Sequence, residues 1–150
     1  MSSAKIFAVL RIVLGWIFLW PFFDKLFGLG FATEHGKAWI DGVSPTAGFL
    51  LHGTTGPFAN IFHALAGNIF VDILFMLGLL GIGLALLLGV AMRLAVYSGS
   101  LLLFLMWLAL LLPKNNPIID EHIVYILVLF LLLKLNAGEV WSFEKNGDSL

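Results

Sequence analysis

Residues 116–125 read Asn-Pro-Ile-Ile-Asp-Glu-His-Ile-Val-Tyr, and they open an apolar run that continues to Leu135. This stretch places two acids, an imidazole and a phenol at the start of the run. In water it would be an ordinary helix start. At the end of a membrane-spanning helix, however, ionisable groups are costly and need partners or a wet pocket. Both the fold and the function of this chain therefore depend on what surrounds Asp120, Glu121 and His122.

The composition of the whole chain places this run in a membrane. Of its 150 residues, 61% are hydrophobic and 11% are charged, and the mean hydropathy is +1.04. Soluble domains are typically about 45–50% apolar and about 25% charged. We therefore predict an integral membrane protein of one domain. The net charge of -1 predicts no nucleic-acid partner, and the absence of cysteine excludes disulfides, thiol redox chemistry and iron–sulfur clusters from this chain.

Four apolar runs are long enough to cross a hydrocarbon core of about 30 Å. They are predicted to span about 6–27, 69–91, 94–112 and 118–135, the last with Asn116 as its N-cap and Pro117 at the first helical position. The first run continues through Trp16 and Trp20 without the cleavage site of a signal peptide, so we interpret it as an uncleaved helix. The predicted fold is an all-α, four-transmembrane-helix bundle, with residues 1–150 forming a single transmembrane domain.

Residues 28–68 join the first two spans and form the predicted outer cap. The segment is amphipathic, and a structureless loop of this length would be unusual in a compact domain. Ser44-Pro45 and Gly56-Pro57 each resemble a helix start with proline in the first turn. Two short helices, near 45–52 and 57–66, are therefore predicted to lie at the membrane interface or to fold over the helix ends as a lid.

The second and third spans are predicted to form an antiparallel hairpin with a tight turn at Arg93. Gly81, Ala85 and Gly89 recur at four-residue spacing on one face of the second span. Small residues at this spacing let membrane helices approach each other closely. This stripe of small residues is thus a predicted helix–helix contact.

Flanking Lys and Arg residues predict the orientation, because cytoplasmic loops carry more of them. One side of the membrane would hold Lys5, Arg11, Arg93, Lys134 and Lys145, and the other Lys25, Lys37 and Lys114. The larger group predicts a multi-pass protein of the plasma membrane with both termini in the cytoplasm. The outer face would then gather most of the groups that can carry chemistry, namely Asp24, Lys25, Asp72, Asp120, Glu121 and all four histidines.

His122 is the first candidate for a site, together with Asp120, Glu121 and Tyr125. As first-turn acids, Asp120 and Glu121 would stabilise the helix N-terminus by about 0.3–1 kcal/mol each. That structural role explains less well why His122 and Tyr125 share a helix face. The alternative is a polar pocket in which His122 and Asp120 exchange protons with a ligand, a role that suits histidine because its unperturbed pKa is about 6.5.

Asp72, Asp24 and Lys25 are the next candidates. Asp72 lies about one turn into the second span, after Asn68 as a candidate N-cap. It is either a first-turn acid or the partner of Lys25 or His122, and pairing is favoured because a lone carboxylate in hydrocarbon is costly. Asp24 and Lys25 point about 100° apart on a helix, so each is expected to find a partner elsewhere in a charge network. Lys25 reaching lipid phosphates is the equal alternative.

Arg11 lies about 9 Å into the first helix at 1.5 Å per residue. From there its long side chain is expected to reach the headgroups of the inner leaflet. The alternatives are a structural bond to a helix end and a contact with a partner subunit.

No metal or haem site is predicted. His52 and His63 lie on different predicted short helices, and no pair of histidines or carboxylates has the spacing of a ligand motif. Haem ligation is disfavoured because the histidines lie outside the centres of the spans. Most tryptophans, Trp39 among them, are more simply packing or interfacial-belt residues than a stacking box for a ring-shaped ligand.

Short segments along nearly the whole chain form a recognisable series. They are Leu10-Arg11-Ile12, Gly15-Trp16, Phe18-Leu19-Trp20, Asp24-Lys25-Leu26-Phe27-Gly28-Leu29-Gly30-Phe31, Ala38-Trp39-Ile40-Asp41-Gly42, Ser44-Pro45-Thr46, Gly56-Pro57-Phe58, Asp72 and Pro117-Ile118-Ile119-Asp120-Glu121-His122. In these segments the chain resembles the DoxX/DoxD group of small four-helix membrane proteins. It looks most like the DoxD branch, which is known as the small subunit of thiosulfate:quinone oxidoreductase.

The resemblance implies a membrane subunit of a quinone-linked oxidoreductase that works with a second subunit. It implies a quinone bound in an outward-facing polar pocket, with electrons from the oxidation of a sulfur compound. The implied catalytic residues are His122, Asp120 and Asp72, and the implied quinone-binding residues are Lys25, Asp24, Trp39, Tyr125 and Glu121. Membrane lipids and a second copy of the chain are further expected partners.

The alternative function is non-catalytic. In that case the chain is a scaffold or assembly partner for another membrane or exported protein, as some DoxX-like relatives are. A carrier is disfavoured because the sequence shows neither an inverted repeat nor the interrupted helix pair that transporters use.

Overall fold

A computed structural model describes residues 2–113 and 116–143, and over these residues the chain is helical without strands. The order of the α-helices is α1 (Ser3–Phe27), α2 (Ala59–Leu65), α3 (Ile69–Leu88), α4 (Met92–Ala109) and α5 (Glu121–Lys134). Between α1 and α2 lie a 3₁₀ turn at Trp39–Asp41 and a π-helical turn at Phe49–Gly53. Lys114 and Lys145, which contribute to the predicted orientation, lie outside the described residues.

Three helices, α1, α3 and α4, are long and apolar enough to cross a membrane. Their outward faces are apolar as well, with Phe70, Leu74 and Leu94 at 79%, 75% and 70% exposure. α5 is shorter. Its 14 residues extend about 21 Å at 1.5 Å per residue, against roughly 30 Å of hydrocarbon.

α5 begins later than the sequence suggests. Asn116, the predicted cap, accepts hydrogen bonds at Oδ1 from the backbone N–H groups of Ile118 and Ile119, both at 3.0 Å, and so forms a turn of its own. The helix N-cap is Asp120, whose carboxylate accepts from the backbone N–H of His122. The prediction of Asn116 as the N-cap is therefore wrong, because its side chain stabilises a turn that competes with the helix.

α3 has the predicted N-terminus and a sharp end. The Asn68 side chain accepts from the N–H of Phe70 at 2.9 Å, which confirms it as the N-cap. The helix ends at Gly89, which has a left-handed φ of 70°. Only Val90 and Ala91 then separate Gly89 from Met92, the first residue of α4. Arg93 thus lies in the first turn of α4, directly after the tight turn.

The closest approach of α1 and α3 is made by glycines other than the predicted ones. A Cβ on Gly15 would lie 2.8 Å from the backbone N of Leu87, and one on Gly83 would lie 2.9 Å from Cβ of Leu19. A Cβ on Gly81 would meet no neighbouring atom within 4 Å. The Gly81–Ala85 stretch instead lines an open groove between α3 and α4. The stripe is correct in its spacing, but Gly81 and Ala85 face the groove, and only Gly89, just after α3, lies against α1 at Arg11.

The core is a column of aliphatic side chains shared by four helices. Its fully buried members are contributed by α1, α3, α4 and α5 and include Leu14, Met76, Leu86, Val96, Leu129 and Leu132. The helices run alternately up and down around this column. The end of α1, the start of α3, the end of α4 and the start of α5 therefore share one end of the bundle, here called the cap end. The opposite end is here called the Arg11 end.

Candidate functional site

His122 and Asp120 form a buried pair at the cap end. The His122 Nδ1 lies 2.8 Å from Oδ2 of Asp120, and the two side chains are 10% and 9% exposed. The other carboxylate oxygen, Oδ1, accepts from the backbone N–H of His122 at 3.0 Å. Because Asp120 holds both the backbone and the ring of His122, it fixes the ring orientation and leaves Nε2 as the nitrogen for any ligand.

The residues next to this pair differ in their burial and in their contacts. Tyr125 is half-buried and packs against the core beside His122, one turn further along α5. Glu121 is exposed and, within the described part of the chain, forms no ion pair. The segment before α5 is tied to α4 by the Trp107 indole, whose Nε1–H donates to the carbonyl of Ile118 at 2.7 Å. The start of α5 is thus fixed by the Asp120 cap and by the bond from Trp107 to the preceding segment.

Asp72 is buried and is hydrogen-bonded to the cap. Its Oδ1 accepts from the hydroxyls of Ser44, at 2.8 Å, and Thr46. The predicted pairing with Lys25 or His122 is wrong, because hydroxyl donors and the N-terminal end of α3 together stabilise this carboxylate without a cation. The signal that was missed is the pair of hydroxyl residues around Pro45, which lie 26 and 28 positions from Asp72.

Asp24 is 1% exposed and organises the first turn of the cap. Its two carboxylate oxygens accept from the backbone N–H groups of Phe31, at 3.2 Å, and Thr33, at 2.8 Å. The expected charge network does not form around it, because backbone amides take both oxygens. Lys25 is half-buried, and no carboxylate of the described residues lies within ion-pair distance of it.

The cap, residues 28–68, is therefore attached to the helices at several separate points. Asp24 holds its beginning and Asp72 holds its middle. A third bond joins the backbone N–H of Thr55 to the carbonyl of Ala109 at the end of α4, at 2.9 Å. Trp39 lies in the 3₁₀ turn and packs against the core. Two of the predicted site residues, Asp24 and Asp72, thus position the cap, and neither is within hydrogen-bond distance of His122.

A second buried charge lies at the Arg11 end and was not predicted as a site. The Arg11 side chain is fully buried, with Nη1 donating to the carbonyl of Ala137 at 2.9 Å and Nη2 to that of Trp141 at 2.8 Å. The expectation that it reaches headgroups is wrong. The alternative of a structural bond is closer, but the acceptor carbonyls lie beyond the end of α5 rather than on it. No local pattern indicates these partners, since they lie 126 and 130 positions along the chain.

The charged and histidine side chains of the cap are exposed. Glu34 and Lys37 form an ion pair of 2.7 Å on the surface, and the hydrogen bond and charge of Lys37 lower the pKa of Glu34 below its ordinary value. The His35 ring lies 3.0 Å from the carbonyl of Gly28. Among residues 2–113 and 116–143, no group of three or more histidines and acids is placed to hold a metal ion.

No family model, curated protein or solved structure matches this chain. The chemistry of the cap end therefore rests on its own geometry. The His122–Asp120 pair is the one arrangement there that combines burial, an oriented imidazole and a ring nitrogen left over.

Proposed function

We propose that this protein is the membrane subunit of a quinone-linked oxidoreductase, and that it binds a quinone at the cap end beside His122. In this proposal α1, α3, α4 and the α5 region are four spans of the plasma membrane, and both termini are cytoplasmic. The cap then lies on the outer side. The resemblance to the DoxX/DoxD group supports the same function.

The observation that carries the proposal is the buried His122–Asp120 pair. A carboxylate bonded to Nδ1 of a histidine selects the tautomer and fixes the ring, as it does for catalytic and metal-binding histidines. When Nδ1–H donates to Asp120, Nε2 of the neutral ring carries a lone pair, so His122 accepts a hydrogen bond or a proton there and donates to a carbonyl oxygen once that proton is bound. The His122 side chain as a whole is about nine-tenths buried, so most of the ring is removed from water.

The residues fit an amphiphilic ring in their chemistry. A quinone supplies two-electron chemistry with two protons when it is bound, and its carbonyl oxygens need hydrogen-bond donors. The Tyr125 hydroxyl, one turn away from His122, offers one donor, and His122 offers a second when its Nε2 carries a proton. The aliphatic neighbours of both residues suit a ligand that enters from the bilayer.

The other predicted residues take indirect roles in this proposal. Asp24 and Asp72 hold the cap over the helix ends, and Trp39 seals it against the core. Lys25 and Glu121, which also lie at the cap end, affect ligand entry. Electrons come from a second subunit that oxidises a sulfur compound such as thiosulfate, since this chain contains no cysteine for thiol or iron–sulfur chemistry.

Binding of a quinone analogue to the purified protein in lipid nanodiscs tests the proposal. His122→Ala is expected to weaken binding by about tenfold or more, which corresponds to a loss of about 1.4 kcal/mol. His63→Ala, at an exposed position, is the matched control and should bind as the unaltered protein does. Equal affinity of the two variants would remove His122 from the role.

Asp120→Asn separates ligand orientation from helix capping. Asparagine caps a helix about as well as aspartate does, so α5 should stay intact. The charge that orients the imidazole is lost. Binding that is weakened while helix content and stability are unchanged would support the pair as a site. Unchanged binding would leave Asp120 with the capping role alone.

A non-catalytic scaffold is the second candidate, and the groove between α3 and α4 favours it. The groove has a volume of about 360 Å³ and is lined mainly by small and aliphatic residues, including Gly78, Gly81, Ala85, Ala95 and Ser98. Such a surface lets another membrane helix approach closely. A stoichiometric partner in the purified complex, lost on Gly81→Leu and present without any quinone in the lipid extract, would establish this function instead.

A further inference from the structure

We propose that Arg11 allows a non-helical segment to complete the fourth crossing of the membrane. This segment, here called the strap, comprises residues 135–143 after the end of α5. The inference rests on the four-span arrangement proposed above, and it does not depend on quinone binding.

The length of α5 creates the need for the strap. Its 14 residues extend about 21 Å, which leaves about 9 Å of a 30 Å hydrocarbon core uncrossed. On the cap side, residues 116–120 supply part of the missing length, and Trp107 and Asn116 bond to their backbone. On the other side, only the strap follows α5 within the described chain.

The strap cannot continue the helix. Asn136 and Trp141 have left-handed φ values of 50° and 52°, so the chain turns at both positions. Backbone groups freed by such turns are costly in hydrocarbon, and non-helical backbone is tolerated at that depth only where protein groups satisfy it. The carbonyls of Ala137 and Trp141 accept from the two Nη atoms of Arg11, at 2.9 and 2.8 Å.

Two further bonds join the strap to the end of α3. The backbone N–H of Phe143 donates to the carbonyl of Leu88 at 3.0 Å, and the hydroxyl of Ser142 donates to the carbonyl of Gly89 at 2.8 Å. α1, α3 and α5 therefore meet at the strap. Of these bonds, the two from Arg11 are the charge-assisted ones, which are the stronger class.

An arginine suits this position better than any other residue. Its planar fork carries two Nη donors that reach two separate carbonyls at once, and its charge suits the negative ends of α3 and α5. Gly89 makes room for it, because a Cβ at that position would overlap Nη1 of Arg11. Within the described residues no carboxylate pairs with this guanidinium, so backbone carbonyls are its counter-groups.

A cysteine introduced into the strap tests the inference, because the natural chain contains none. Val140 is half-buried in the strap, so a cysteine there should react slowly with a membrane-impermeant maleimide and faster when the strap opens to water. In inside-out membrane vesicles, Arg11→Met is expected to accelerate labelling by about tenfold or more, since two hydrogen bonds to a charged donor are lost. Arg93→Met removes one exposed positive charge from the same end and is expected to leave the rate unchanged.

If Arg11→Met fails to accumulate in the membrane, a second pair of variants tests the inference. Gly89→Ala displaces the guanidinium and is expected to accelerate labelling as well. Gly67→Ala is matched to it in backbone conformation, with φ of 75° against 70°, and a Cβ there would meet no neighbouring atom within 4 Å. It is expected to label slowly.

The outcomes separate this inference from the function proposed above. A reporter at the C-terminus of the unaltered protein should lie on the cytoplasmic side, and a reporter on the outer side would overturn the four-span arrangement and the strap together. A cytoplasmic reporter with equal labelling in Arg11→Met and Arg93→Met would overturn the role of Arg11 alone. Quinone binding measured on the same vesicles is independent of either result.

Discussion

The two ends of the bundle bury charge in opposite ways. The cap end buries the carboxylates of Asp24 and Asp72 on N–H and O–H donors, and the Arg11 end buries a guanidinium on carbonyl oxygens. Within residues 2–113 and 116–143, neither end uses an ion pair for these groups. The cap is held at several independent points, whereas the strap is held by the two charge-assisted bonds of Arg11 and by bonds to the end of α3. Backbone groups and hydroxyls thus stabilise buried charges at both ends. The two ends are expected to differ in how much stability is lost when one side chain is removed.

The largest effect is expected at the Arg11 end. Arg11→Met should lower the free energy of unfolding by about 3–5 kcal/mol, because two charge-assisted bonds are lost and two carbonyls are left unsatisfied. Reversible unfolding in mixed micelles measures this change. Arg93→Met is the control and should shift stability by no more than about 0.5 kcal/mol. If Arg93→Met lowered the free energy of unfolding as much as Arg11→Met does, the buried guanidinium would have no special role, and the contrast with the cap end would be wrong.

The cap end should lose less for each residue removed. Asp72→Ala and Asp24→Ala should each cost about 1–3 kcal/mol, since donors are left without acceptors. The two carboxylates share no partner, so the double variant should lose the sum to within about 0.5 kcal/mol.

Limited proteolysis of the cap in the same variants measures how far it opens. Each single variant should open the cap only near the bond that is lost, because the other points of attachment remain. If Asp24→Ala or Asp72→Ala alone released the whole cap, the attachment of the cap would depend on a single residue.

A smaller effect is expected at Asp120, where one carboxylate both caps α5 and holds His122. Asp120→Ala should cost about 1 kcal/mol through the lost cap, and Asp120→Asn only a few tenths. Thermal unfolding followed by circular dichroism compares the two variants. An equally large loss in Asp120→Asn would show that the bond to His122, rather than the cap, stabilises this end.

The smallest effect concerns the exposed pair Glu34–Lys37. Lys37 lowers the pKa of Glu34 below its ordinary value of 4.5, so the pair stabilises the folded state above that pH, and its contribution is lost as the pH falls through the lowered pKa. Glu34→Gln should remove this dependence, and unfolding curves between about pH 3 and 6 measure it. A change in the cap-end proteolysis pattern with this variant would show that the surface pair helps to hold the cap.

Local patterns predicted much of the fold. The apolar runs gave α1, α3 and α4 within a few residues, because length and hydropathy determine a span directly. Asn68 was identified as a cap because capping is a contact between neighbours in sequence. The gathering of the scarce ionisable groups at one end followed from the up-and-down order of the spans.

The partners of the buried charges could not be predicted in the same way. Asp72 bonds to residues 26 and 28 positions away, and Arg11 to residues 126 and 130 positions away. Such contacts depend on how the helices pack, which no short motif encodes. At the start of α5, Asn116 was predicted as the cap and Asp120 as a first-turn acid, but Asn116 forms a separate turn and Asp120 becomes the N-cap. The small-residue stripe likewise shows its spacing in the sequence but not the neighbour that it faces.

The separation between Arg11 and its acceptors also orders events during synthesis. Arg11 leaves the ribosome more than a hundred residues before Ala137 and Trp141 exist. Until then its guanidinium has to stay hydrated at the membrane surface, where the charged end of a long basic side chain can remain in water. Withdrawal of that charge into the protein is then a late event, which joins α1 to the strap only after the strap has been synthesised.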